Sequence, residues 1–362
     1  MKVEKGTVRA PEIGRPWLNS PPLSLRQLRG RAVLIDFWDY TCVNCIRTLP
    51  YLQAWHERYQ LLGLTVIGVH TPEFTFAQYE SNVERGVLEF GLTYPIVMDS
   101  NYELWKAFAN RCWPSKYLLD REGYLRFGHF GEGAYAECEA AIQELLREID
   151  PGVSLPSILQ PSRTDLGAEA GAGAACYSAS PELYLGHKRG RIGNPGGFQE
   201  DRIAEYSFPA EVRAGKLDDL CFYADGTWAS TVEYLEAVGE RENHIRLKYS
   251  GAGVNLVMAA PRGGARDVIA TLDGKAIPES STGADARSRQ SDGRTKSFIT
   301  VERARMYSIV NASEPGEHLL DLQFPAGVAA FAFTFTSCVL DQASSKSRPQ
   351  PAENSGPAQV SS

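Results

Sequence analysis

Cys42 and Cys45 stand three residues apart in the stretch Leu34-Ile35-Asp36-Phe37-Trp38-Asp39-Tyr40-Thr41-Cys42-Val43-Asn44-Cys45-Ile46-Arg47-Thr48-Leu49-Pro50. An apolar, β-branched run ends at Trp38, a few polar residues follow, and a helical pattern opens at the cysteines. A thiol at the first turn of a helix faces unpaired backbone N–H groups and the positive end of the dipole, and both favour thiolate. A second thiol one turn on lies on the same face and closes a disulfide without backbone movement. The chemistry expected is thiol–disulfide exchange, with Cys42 as a nucleophile of lowered pKa and Cys45 as the resolving thiol. The same pair also suits a structural disulfide or half a zinc site. No second CxxC and no paired histidines offer the remaining zinc ligands, so neither metal nor cofactor is expected. Asp36, in an apolar strand, is either an ion-pair partner or a buried carboxylate whose raised pKa lets it accept a proton near neutrality.

The elements that must position these groups follow from periodicity. Ala32 to Trp38 reads as a strand, and the helix from Cys42 to about Tyr59 bends where Pro50 removes a backbone donor. Leu64 to Val69 is a second buried strand, Phe74 to Phe90 a helix, Tyr94 to Met98 a short strand and Asn101 to Ala109 another helix. Arg111 to Gly128 carries a strand, the Asp120-Arg121-Glu122-Gly123 turn and a second strand, a hairpin signal. Ala134 to Ile149 closes the unit as a helix.

The set Asp36, Trp38, Cys42, Cys45 and Pro50, with the order βαβ, helix, ββα, resembles the thioredoxin superfamily. That resemblance implies an α/β fold with a mixed central sheet flanked by helices. It implies that Asp36 is the buried carboxylate that helps deprotonate Cys45, that Trp38 is the aromatic beside the disulfide, and that Pro114 is a cis proline packed against it. Thioredoxins also place a lysine near the aspartate, and the corresponding Val66-Ile67-Gly68-Val69 offers none. Glu73 reads as a solvated loop charge, with a place at the site rim as the alternative, and Cys112, two residues before Pro114, as a buried unreactive thiol, with an approach to the active-site pair as the alternative.

Asp150 to Ser180 turns to Pro, Gly, Ala and Ser without periodicity and reads as a linker. From Pro181 to Asp341 short apolar runs alternate with Gly, Asp and Asn turns, the pattern of an all-β sandwich or jelly roll. The division expected is a redox domain at 10–150, a linker at 151–180, a β-sandwich at 181–341 and a disordered tail at 342–362. Ser180-Pro181-Glu182-Leu183-Tyr184-Leu185-Gly186-His187, Asp225-Gly226-Thr227-Trp228, Leu272-Asp273-Gly274 and Gly327 to Phe335 resemble the carboxy-terminal region of DipZ-type proteins. Those proteins pair such a region with a thioredoxin-like domain, and Trp38 to Cys45 and His70-Thr71-Pro72-Glu73-Phe74 fit that resemblance. The resemblance implies a thioredoxin-like domain followed by a sandwich similar to carbohydrate-binding modules, with a possible glycan partner. Tyr184, Trp228 and Tyr234 offer a stacking platform, although aromatics in a sandwich are more often core.

The 362 residues leave room for two cores, and 43% apolar with 22% charged residues is a soluble globular composition. A net charge of −7 argues against nucleic acid as the partner. No stretch reaches the length of a membrane span and no apolar leader opens the chain, so a cytoplasmic placement is expected, with a periplasmic or extracytoplasmic one as in membrane-linked relatives as the alternative. Seven cysteines is an odd number, and those other than Cys42 and Cys45 have no regular spacing, which fits a reducing compartment. The function expected is a thiol–disulfide oxidoreductase acting on protein disulfides with an unidentified thiol electron donor. A thiol peroxidase and a glycan- or protein-binding adaptor with an accessory redox unit are the alternatives.

Overall fold

The computed structural model describes residues 1–13, 16–159, 174–176, 178–260, 264–291, 293–336 and 338–340. The first part runs β1 (Trp17–Leu18), β2 (Ala32–Trp38), α1 (Val43–Tyr59), β3 (Leu64–His70), α2 (Glu80–Glu89), β4 (Ile96–Met98), α3 (Glu103–Ala107), β5 (Ser115–Leu119), β6 (Leu125–Phe130) and α4 (Tyr135–Ile149). Its six strands form one mixed sheet in the order β1-β4-β3-β2-β5-β6, with β2, β3 and β4 parallel and β5 antiparallel to β2. This is the thioredoxin-like fold.

The two-residue period of β2 sorts its side chains. Val33, Ile35 and Phe37 pack on one face with Leu25, Leu28 and Leu104. Ala32, Leu34 and Trp38 pack on the other, with Cys45, Leu49 and Leu52 of α1 and Ile142 and Leu146 of α4. Asp36 falls between Leu34 and Trp38 in that alternation, so its carboxylate enters the α1–α4 layer, where apolar side chains leave it no water. Gly68 of β3 is required there: a Cβ would lie 2.9 Å from the Trp38 indole nitrogen.

Several expected boundaries shift. The helix placed at Phe74 begins only at Glu80, because Thr75–Gln78 winds as a 3₁₀ turn first. The first nine residues belong to the unit, bridging the β6 edge at Lys2–Phe127 and Arg9–Tyr124. The start of the expected linker is docked: Leu155 and Leu159 pack on the α1–α4 core, and Gln143 donates to the Pro156 carbonyl at 2.7 Å. Residues 160–173 of that linker and the expected tail at 342–362 lie outside the described residues.

The second part is mostly strands: β7 (Ala174–Cys176), β8 (Leu183–Tyr184), β9 (Ile203–Tyr206), β10 (Phe222–Ser230), β11 (Leu235–Ala237), β12 (Asn243–Ala259), β13 (Arg266–Leu272), β14 (Ala286–Ser291), β15 (Arg294–Val301), β16 (Arg305–Phe324), β17 (Ala329–Thr336) and β18 (Cys338–Leu340), with one four-residue helix, α5 (Ala210–Arg213). Ten strands join one sheet in which β12 pairs with β16 along most of its length, past bulges at Gly251/Gly253 and Val254/Asn255. The first half of β12 alternates buried with half-buried residues, and its second half is buried on both faces. Leu256 and Met258 face the β core, whereas Val257 turns the other way with Ala329, Phe331 and Ala332 against Phe74 of the first part. Phe331 lies edge-on to Phe74 and Phe76 at centroid distances of 5.2 and 4.8 Å. An apolar seam therefore joins the two parts. Among the described residues, no helix is long and apolar enough to cross a membrane.

Candidate active site

Cys42 is the N-cap of α1, with extended backbone, and its Sγ accepts the Cys45 N–H at 3.2 Å. The two sulfurs are 2.6 Å apart. Cys42 is half-buried and Cys45 fully buried, so a partner disulfide reaches the first sulfur and not the second. The expected lowering of the Cys42 pKa is not what the site produces. Burial pushes the thiol up and the Glu73 and Asp39 carboxylates push it further, against hydrogen bonds from the Cys45 thiol and amide that act downward. The helix start supplies its amide, but loss of solvent and two nearby negative charges outweigh it. Cys45 is pushed higher still, by burial first and then by Cys42.

Asp36 is completely buried, and burial raises its pKa to about 7 against the pull of Lys116. Lys116 is the lysine that Val66–Val69 lacks. The strand register places Gly68 of β3 on one side of Asp36 and Lys116 of β5 directly opposite on the other. Lys116 Nζ lies 3.8 Å from Asp36 Oδ1, an ion pair longer than a hydrogen bond, and neither group has a hydrogen-bond partner among the described residues. The Asp36 charge is among the influences that push the Cys45 thiol up, after burial and Cys42. Trp38 is fully buried in the same cluster, edge-on to His70 at 5.2 Å. The Trp113–Pro114 peptide is cis, and the indole of Trp113 donates to the Thr71 carbonyl at 3.0 Å.

Asp39 carried no role in the sequence reading and holds the loop before Cys42. Its Oδ1 accepts the Thr41 amide at 2.7 Å and hydroxyl at 2.6 Å, and its Oδ2 accepts the Glu73 amide at 2.9 Å. His70 stacks on Tyr40, and burial holds it neutral with its pKa lowered to about 3.

Cys42 opens into a cleft of about 350 Å³ whose far wall comes from the β part. Val43, Asn44, Glu73, Arg111, Cys112 and Trp113 line one side, and Glu182, Tyr184, Arg189 and Phe335 the other. Glu73 is not a solvated loop charge: its side chain is only 8% exposed and its Oε1 accepts from Arg189 at 2.9 Å and from Tyr184 at 2.7 Å. Cys112 is half-buried in the cleft wall, not sealed in the core. The three aromatics considered for sugar stacking are committed elsewhere. Trp228 is in the β core against Phe324, Tyr234 packs on Phe331 at the seam, and Tyr184 reaches Glu73. No local sequence signal marks Glu182, Tyr184 or Arg189 as partners of a site more than a hundred residues away.

Residues 7–127 match the AhpC/TSA family and residues 180–336 match the thioredoxin like C-terminal domain. The chain is similar to protein DipZ, with 37% identity to the Mycobacterium tuberculosis protein over 72% of this chain and 35% of that protein. It thus spans about a third of the length of the DipZ proteins it matches. Thiol-disulfide oxidoreductase YkuV of Bacillus subtilis is 27% identical over 38% of this chain and 91% of its own length. A solved thioredoxin-like protein in the oxidised form is 28% identical over 39% of this chain and 98% of that one, with a TM-score of 0.36.

Proposed function

We propose that this chain is a thiol–disulfide oxidoreductase exchanging its Cys42–Cys45 pair with disulfides of protein partners. The observation that carries the reading is the vertical order of the site: Cys42 at the cleft floor, Cys45 buried behind it, and the Asp36–Lys116 pair beneath. Cys42 thiolate attacks one sulfur of the partner disulfide, the partner's other sulfur leaves as thiolate, and a mixed disulfide forms. Cys45 gives its proton to Asp36, attacks Cys42 Sγ and expels the second partner sulfur, leaving the partner dithiol and an oxidised Cys42–Cys45 pair. A thiol electron donor restores the pair by the reverse sequence. Trp38 and cis Pro114 are assigned to packing around the disulfide.

Peroxide reduction is less well supported. The Pro-x-x-x-Thr-x-x-Cys arrangement that activates peroxide would need Pro at Ile35 and Thr at Asp39. Glycan binding by the β part would need residues other than Tyr184, Trp228 and Tyr234, whose positions are taken as described above. The division at 151–180 is kept as a proposal, with the amendment that residues up to 159 dock on the redox unit.

Trapping tests the assignment of roles. Cys45→Ser should accumulate mixed disulfides with protein partners from a lysate, because resolution is lost, and Cys42→Ser should capture few. Equal capture by both variants, or none by Cys45→Ser, overturns it.

A further inference from the structure

Two carboxyl groups meet at one phenol beside Cys42. Tyr184 Oη lies 2.7 Å from Glu73 Oε1 and 2.6 Å from Glu182 Oε2. A phenol has a single proton to donate, so both contacts are hydrogen bonds only when one carboxyl carries a proton and donates it back to the phenol oxygen. Arg189 decides which. Its Nη1 is 2.9 Å from Glu73 Oε1, and its guanidinium stacks over the Tyr184 ring at 3.7 Å, so Glu73 is the charged partner. Tyr184 then donates to Glu73, and Glu182 donates to Tyr184. Loss of solvent in the cleft, and then the charge of Glu73, raise Glu182 to about 7, the direction this assignment requires. Glu182 belongs to a residue exposed at the rim, so its proton exchanges with water, while its side chain lines the same cleft as Cys42.

We propose that Glu182, supplied by the β part and held by Tyr184 and Glu73, is the general acid that protonates the thiolate leaving the partner disulfide. The inference rests on the oxidoreductase reading and adds a catalytic residue to it. Cys42 thiolate forms a bond to one partner sulfur, the partner's S–S bond breaks, and the electron pair leaves on the second sulfur. That sulfur takes the Glu182 proton and departs as a neutral thiol, and the carboxylate left behind is reprotonated from water. In the reverse direction the same carboxylate accepts the proton of an incoming thiol. An alkyl thiol has a pKa of about 8.5, so transfer from a carboxyl poised near neutrality runs downhill.

A plain interdomain strut makes a different claim about leaving groups. Single-turnover reduction by the reduced full chain is measured with two disulfides, oxidised glutathione and an aromatic disulfide whose leaving thiol is already ionised at neutral pH. Only the first leaving group benefits from a general acid, whose contribution is typically 10²-fold or more. Glu182→Gln, which still bonds to Tyr184, should lower the ratio of glutathione-disulfide rate to aromatic-disulfide rate by about tenfold or more. Tyr184→Phe, which keeps the ring beneath Arg189, should lower that ratio in the same direction. A ratio unchanged in both variants overturns the proposal, whether the two rates stay level or fall together as a damaged cleft would make them. Wild-type chain that reduces neither disulfide refutes the oxidoreductase reading itself.

Discussion

Lys116→Met isolates what the buried ion pair contributes to resolution. At 3.8 Å, with the effective dielectric of about 20 that suits protein sites, the attraction between Lys116 and Asp36 is roughly 4 kcal/mol. At 1.36 kcal/mol for each tenfold change, that interaction moves the ionisation midpoint of Asp36 by up to about 3 pH units. Burial alone raises the Asp36 carboxyl, and Lys116 is what brings it back to about 7. Without the ammonium, Asp36 stays protonated through neutrality and cannot take the proton of Cys45. The assay starts from the Cys42 mixed disulfide with a small thiol and follows release of that thiol between pH 5 and 10. Wild-type release should rise with a midpoint near 7, and in the variant the midpoint should move upward by at least about 1 pH unit, with water entering the site reducing the shift from its limit. Stability supplies a check of sign. A carboxyl whose folded pKa lies above its ordinary value favours the fold fully below about 4 and loses that contribution as pH rises through the folded pKa. The variant should therefore melt no lower than wild type at pH 6 and lose ground only at alkaline pH. An unmoved midpoint with an intact fold refutes the assignment of Lys116 and Asp36 as the proton path.

Asp36→Asn should slow resolution across neutral pH while leaving the fold intact, since an amide cannot accept the Cys45 proton; equal turnover from pH 6 to 8 would make the carboxylate structural. Phe331→Ala removes a ring that is 4% exposed between Phe74, Phe76 and Tyr234 and should cost about 3 kcal/mol or more of docking. Calorimetry should then resolve two transitions in place of one, and a single unshifted transition would show that the seam does not couple the two parts.

The local half of the site was legible because its determinants are local. Asp36, Trp38, Cys42, Cys45 and Pro114 sit in or beside elements whose periodicity is plain: the first two lie in β2, the cysteines at the start of α1, and Pro114 follows a cis peptide just before β5. Lys116 was within reach of the same logic. A strand starting right after Pro114 and running antiparallel to β2 puts its second residue opposite Asp36, whereas the parallel neighbour places Gly68 there. The β-part wall was not legible. Tyr184 meets Glu73 across 111 residues, and nothing in the alternation of short strands fixes which edge meets the redox unit. One trace of the seam is present in the run Ala329-Ala330-Phe331-Ala332-Phe333, which does not alternate with polar residues. A strand buried on both faces reads that way, and the second face here is the thioredoxin-like unit.

The raised thiols bear on the direction of exchange. A dithiol is a strong oxidant when its reduced form is stabilised by a low-pKa thiolate. The strongly oxidising bacterial disulfide oxidase has a nucleophilic thiol of pKa about 3.5 and a potential of about −120 mV. At pH 7 its thiolate is favoured over thiol by about 3.5 pH units, or roughly 4.8 kcal/mol, which corresponds to about 100 mV for a two-electron couple. Cys42 lacks that stabilisation, because burial, Glu73 and Asp39 all oppose its ionisation. Removing the term alone brings the potential to about −220 mV, and the buried, still less acidic Cys45 adds nothing to the reduced form. The pair is therefore expected at or below about −220 mV, nearer the thioredoxin value of about −270 mV, and to work as a reductant of partner disulfides. Equilibration in graded thiol–disulfide buffers, acid quenching and mass analysis after maleimide labelling measure it directly. A potential above about −180 mV would mean that Cys42 is ionised after all, and that the helix start prevails over the two carboxylates.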